Sequence, residues 1–142
     1  MKRDPFEKLD RCHRRLEEAL DALARDPSAR EDVLDFLGHQ MKRHDEDEER
    51  SLFPRLAGVT ALAEVIAKLE AQHVEQRALT ERLAQGEDVG ARLIDAYRAH
   101  IDIEDRVLFP AAREALSSED VAAIAEEMEA RRGGGGRRND RR

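Results

Sequence analysis

The residues best suited to chemistry form an eleven-residue pattern that occurs twice, His44-x3-Glu48-x3-Leu52-Phe53-Pro54 and His100-x3-Glu104-x3-Leu108-Phe109-Pro110. A further histidine precedes each copy, His13 before the first and His73 before the second. Two histidines and a carboxylate are a standard ligand set for a non-haem iron site. Two such sets in one small chain point to a two-metal centre. The candidate ligands are His13, His44, Glu48, His73, His100 and Glu104.

A single histidine on an apolar helix face is ordinarily a structural residue. Here four of the five histidines fall on apolar stripes, and two are followed by a glutamate one turn later. Positions i and i+4 share a helix face, so each His-x3-Glu pair points the same way. Two glutamates in a core with no cation would be very costly, and a metal removes that cost. His39 lies five residues before His44, about 140° round the helix, and reads as a surface residue. Asp45, Asp47 and Glu49 read as a solvated acidic face. Asp105, beside Glu104, is an alternative ligand, but Glu104 matches Glu48 in register. On the ordinary reading the two Leu-Phe-Pro triplets stop the helices and close the bundle end; on the functional one Phe53 and Phe109 also line a dry pocket beside the metals. Tyr97, one turn before His100, is either a hydrogen-bond donor near the site or core packing. Cys12 neighbours His13 but points about 100° away, and reads as structural.

The elements that would position these groups are helices. Asp4 caps the first, with Pro5 in its first turn, and the inward stripe is Phe6, Leu9, His13, Leu16, Leu20 and Leu23. After Pro27, Ser28 and Glu31 make a capping box for a second stripe, Leu34, Leu37, Met41, His44, Glu48 and Leu52, ending at Pro54. Thr60 caps the third helix, which carries Leu62, Ile66, Leu69, His73, then Leu79 or Thr80, and Leu83. A turn at Gly86-Glu87-Asp88 leads to the fourth, with Leu93, Tyr97, His100, Glu104, Val107 and Leu108, stopped by Pro110. Ser117 or Ser118 caps a short fifth helix carrying Val121, Ile124 and Met128. The reading is an all-α, up-down-up-down four-helix bundle with a short C-terminal fifth helix over residues 1–132. A flexible basic tail, four glycines and then RRNDRR, follows over 133–142.

Composition narrows the class. At 142 residues one domain is the natural expectation, and Ala, Leu, Glu and Arg dominate as in helical bundles. The single Cys12 excludes an intramolecular disulfide and a cysteine-based zinc or iron–sulfur site. No stretch resembles a signal peptide or a membrane span, so a soluble cytoplasmic protein is expected. The net charge of −7 argues against general nucleic-acid binding.

With both motifs in view, the chain resembles the hemerythrin-like proteins, the family of the HHE cation-binding domain, over about residues 4 to 130. The resemblance implies a four-helix bundle holding two non-haem irons bridged by two carboxylates and an oxo or hydroxo group. It makes His13, His44, His73 and His100 terminal ligands and Glu48 and Glu104 the bridges. Oxygen-carrying hemerythrins have a further histidine one turn after the third-helix ligand, where this chain has Arg77. They also place an aspartate five residues after the last histidine, where this chain has Asp105 beside Glu104. The four-histidine, two-glutamate set looks more like bacterial iron–sulfur repair and mycobacterial hemerythrin-like proteins. The expected function is binding of, or reaction with, oxygen, nitric oxide or peroxide, in oxidative or nitrosative stress or iron handling. Peroxide decomposition or a repair activity would make it an enzyme. The alternative is a reversible oxygen carrier, store or sensor.

Overall fold

Five helical rods carry the chain, and no strand occurs among the described residues. The computed structural model describes residues 4–133. The first rod is Pro5–Arg25. The second covers residues 30–52 and contains two widened π-turns, Leu37–Met41 and Glu48–Leu52. The third is Ala63–Ala84. The fourth covers residues 90–115 with a π-turn at Glu104–Leu108, and the fifth is Ser118–Arg131. The proposed tail lies outside the described residues except for Gly133.

Local chemistry sets the rod ends. The Asp4 carboxylate accepts from the Phe6 amide at 2.9 Å, and Ser117 Oγ accepts from the Asp120 amide at 3.0 Å. Asp26, not Ser28, caps the turn entering the second rod: its carboxylate accepts from Ser28 N and Ser28 Oγ. Pro27 takes the first helical position, so the cap falls on the residue before it. Thr60 opens a short 3₁₀ turn, Thr60–Leu62, ahead of the third rod and makes no side-chain cap. That rod ends at Gly86, whose φ of +91° lets Glu87 N reach back to Arg82 O.

Pro110 does not end the fourth rod, which continues through Phe109–Ala115. The π-turn just before it supplies the reason. A helical proline clashes with the carbonyl four residues back, and the widened turn makes room there. The same turn faces Val107 outward, leaving it 49 % exposed despite its place on the apolar stripe.

The first rod packs against the second and fourth, the third against the fourth, and the fifth against the first and second. Their apolar stripes form two separate clusters. One gathers Leu9, Leu52, Leu69 and Leu108; the other gathers Leu16, Met41, Leu79 and Tyr97. On the first three rods the histidine lies between the two contributions; on the fourth, His100 stands just before the last residue of one, Ile101, and Glu104 lies between the two. The polar residues thus form a layer sealed on both sides by hydrocarbon. No helix among the described residues is long and apolar enough to cross a membrane.

Candidate metal centre

Each of the first four rods delivers one imidazole to this layer. His13, His44, His73 and His100 are at most 1 % exposed, and Glu48 and Glu104 are fully buried. Their donor atoms fall into two groups, each within 4.8 Å of one another: His13, His44, Glu48 and Glu104, and then Glu48, His73, His100 and Glu104. Both glutamates belong to both groups.

The two groups are related by the repeat. His13 Nε2 lies 2.9 Å from Glu104 Oε1, and His73 Nε2 lies 3.1 Å from Glu48 Oε1. His44 Nε2 is 3.0 Å from Glu48 Oε2, and His100 Nε2 is 3.0 Å from Glu104 Oε2. Yet His44 Nε2, His100 Nε2, Glu48 Oε2 and Glu104 Oε2 make no hydrogen bond. These atoms are close, shut off from water and misaligned for donation to each other. Buried polar atoms are rarely left so. Imidazole nitrogens and carboxylate oxygens gathered round a common space fit a cation there.

A family model described as the hemerythrin HHE cation-binding domain matches residues 4–112. The chain belongs to this family. No curated protein and no solved structure matches the chain significantly. The HHE match takes in all six candidate ligands and ends before the fifth rod.

In the HHE domain the carboxylates favour the charged form of the rings they meet. Burial opposes charge on His13, but hydrogen bonds to Asp105 and Glu104 outweigh it and raise the pKa to about 9. His73 is likewise raised to about 9: burial opposes, and Glu48, Asp45 and Glu49 prevail. Glu104 is held well below the usual range because His100, His13 and His44 overcome the cost of its burial.

A second tier of partners orients the rings. His13 Nδ1 donates to Asp105 at 2.9 Å, and Arg14 holds the other Asp105 oxygen at 2.6 Å. His73 Nδ1 donates to Glu49 at 2.6 Å, and Arg77 holds that same oxygen at 2.7 Å. His100 Nδ1 pairs with Gln72 Oε1 at 2.8 Å. The sequence carried a sign of the carboxylate pair, since each motif glutamate is followed by a second acid, Glu48-Glu49 and Glu104-Asp105. Gln72 had no such sign. Phe109 stacks on His13 with centroids 5.5 Å apart, and Phe53 stacks on His73 at 6.1 Å. The Leu-Phe-Pro phenylalanines thus stand against two of the imidazoles.

Other expected positions are sorted by burial. His39 is exposed and pairs with the Asp35 carbonyl at 2.9 Å. Tyr97 packs in the apolar cluster, where burial raises its phenol. Cys12 Sγ lies 3.5 Å from Met41 Sδ and also stands against the His44 ring. The solvated acidic face needs correction. Asp45 and Asp47 are buried, and Glu49 is half-buried against His73. The fifth rod covers Asp47 on one side of the second, and His73 and Arg77 of the third rod cover Asp45 and Glu49 on another. Asp47 accepts from Arg131 at 2.9 Å and from Arg132 at 2.8 Å, and Arg131 also donates to Ser51. Asp45 stands beside His73, and burial raises its carboxyl to about 6, although His73 pulls it down.

Proposed function

We propose that this HHE domain holds two iron ions and that the centre binds or reacts with oxygen, nitric oxide or peroxide. The observation that carries the reading is the sharing of Glu48 and Glu104 between both donor groups. One carboxylate oxygen facing each group is the arrangement by which a glutamate spans two metals. His13 and His44 would complete one position, His73 and His100 the other. Imidazole and carboxylate donors suit iron, with manganese or zinc chemically compatible. When bound, paired iron supplies electrons and open coordination positions to a small molecule.

The residues of the chain set the conditions for that chemistry. Asp105 and Glu49 fix the His13 and His73 rings and hold each Nδ1 proton, leaving Nε2 to face the centre. Phe109, Phe53 and the two apolar clusters exclude water. Arg77 is turned to Glu49 and half-exposed, so it does not replace the extra histidine of the oxygen carriers. That supports a reactive centre over a reversible carrier. Short connections between rods support an up-down-up-down order of the first four, with residues 1–132 as one unit.

The deciding experiment is metal analysis with optical spectra of the reduced protein before and after oxygen, nitric oxide and peroxide. Two irons per chain and a spectrum that responds to one of these ligands are expected. A persistent, reversible oxygen complex would restore the carrier reading. A chain that takes up no metal would end the proposal.

A further inference from the structure

The repeat that builds the two donor groups breaks down in the residues behind them. The position after His44 is Asp45, whereas the position after His100 is Ile101. The position three after His73 is Gln76, whereas three after His13 is Leu16. The position seven after His73 is Thr80, whereas seven after His13 is Leu20. The His13 side is therefore backed by hydrocarbon and the His73 side by polar groups. Asp45 and Gln76 are nonetheless as inaccessible as their apolar counterparts, at 5 % and 0 % exposure. Asp45 Oδ1 lies 3.4 Å from His73 Nε2, the atom that faces the centre. That oxygen and both polar atoms of the Gln76 amide have no hydrogen-bond partner.

A buried carboxylate oxygen with no donor is expensive and is not left so without a function. The nearby cation is Arg77, whose Nη2 is 3.9 Å from the other oxygen, Asp45 Oδ2. Oδ1 faces the centre instead. We propose that the two metal positions are unequal, Asp45 serving as an additional carboxylate ligand on the His73–His100 side, which loads first and holds its metal harder. The His13–His44 side has no counterpart and remains the more open position. Carboxylates add charge as well as a donor atom, so the preference holds for any divalent ion of this class. Gln76 offers a donor and an acceptor to whatever polar group accompanies that metal.

The inference rests on the two-metal reading above, and zinc separates the two because it binds without redox chemistry. Metal-free protein labelled with ¹⁵N in its histidines is titrated with Zn(II) and followed by NMR. His73 and His100 should shift during the first equivalent, and His13 and His44 during the second. All four shifting together would overturn the inequality while leaving the two-metal reading intact. The absence of any zinc binding would overturn both. Asp45→Asn, which keeps size and removes charge, should weaken one equivalent by about tenfold or more and abolish the order of loading. An unchanged isotherm, or equal weakening of both equivalents, would overturn the role given to Asp45. The wild-type titration stands alone if the variant folds poorly.

Discussion

The imidazole of His13 meets the carboxylate of Glu104 at 2.9 Å across 91 residues of sequence. Each half of the repeat therefore completes its donor group with a glutamate from the other half. Glu104→Ala should cost the chain both metals, whereas His13→Ala should cost mainly one. Elemental analysis of purified variants checks this. Retention of one tightly held metal in Glu104→Ala would show the halves to be independent.

Metal-free protein should lose stability as the solution becomes alkaline. His13 and His73 have folded pKa values of about 9, above the ordinary 6.5. Their contribution is complete below pH 6.5 and disappears as pH rises through about 9. Glu104 behaves oppositely: its depressed carboxyl contributes above about pH 4.5 and is lost as pH falls through its lowered pKa. In the loaded protein the metal takes the place of the ring protons, so binding releases protons and tightens with pH. Melting curves of both forms between pH 6 and 9.5 should diverge, with the apo midpoint falling by several degrees. Parallel curves would refute the argument.

Removing a ring-orienting acid should weaken the centre without emptying it. Asp105→Asn and Glu49→Gln each keep a hydrogen-bond acceptor but lose the charge that steadies His13 or His73. Loss of about 10- to 100-fold in metal affinity is expected, read by competition with a chelator. Full loss of metal from Asp105→Asn would instead mark Asp105 as a direct ligand.

Much of this centre was legible because helical period and chemistry coincide. His44 and Glu48 share a face by spacing alone, and each histidine sat between leucines that later divided into two apolar clusters. The family resemblance was carried by the same residues and is matched over 4–112. Burial of Asp45 and Asp47 was not legible, since it depends on which sides of the second rod the third and fifth cover. Nothing local distinguishes an acid facing water from one facing Arg131 and Arg132. The continuation past Pro110 was hidden for another reason. A π-turn leaves no periodic trace over five residues, and proline ordinarily signals a stop.

The clamp between the second and fifth rods should be measurable in stability. Asp47 is 1 % exposed, while Arg131 and Arg132 keep partial contact with water. Breaking a fully buried pair costs about 3–5 kcal/mol, and the access retained by the arginines reduces this to about 2 kcal/mol for Asp47→Ala. Chemical denaturation of the loaded protein checks it. A change within about 0.5 kcal/mol would mean that the fifth rod holds on by its apolar contacts alone.

Truncation after Arg132 should leave metal content and spectra unchanged. The sequence after Arg132, four glycines and then RRNDRR, offers no apolar side chain to bury. Loss of metal on truncation would show that the tail supports the centre.

The π-turns at Glu48–Leu52 and Glu104–Leu108 bear on how this sequence can change length. In both, the phenylalanine amide bonds to the glutamate carbonyl five residues back, not four. Past the additional residue, Phe53 and Phe109 meet the imidazoles of other rods. Deleting one residue between Glu48 and Phe53 would let that amide bond the same carbonyl in a regular α-turn, so the phenylalanine would keep close to its present bearing. Deleting one from a regular turn of the rod would instead swing everything beyond it by about 100°. The widened turns, like the connecting turns, are thus where this sequence can lose a residue without breaking its wall.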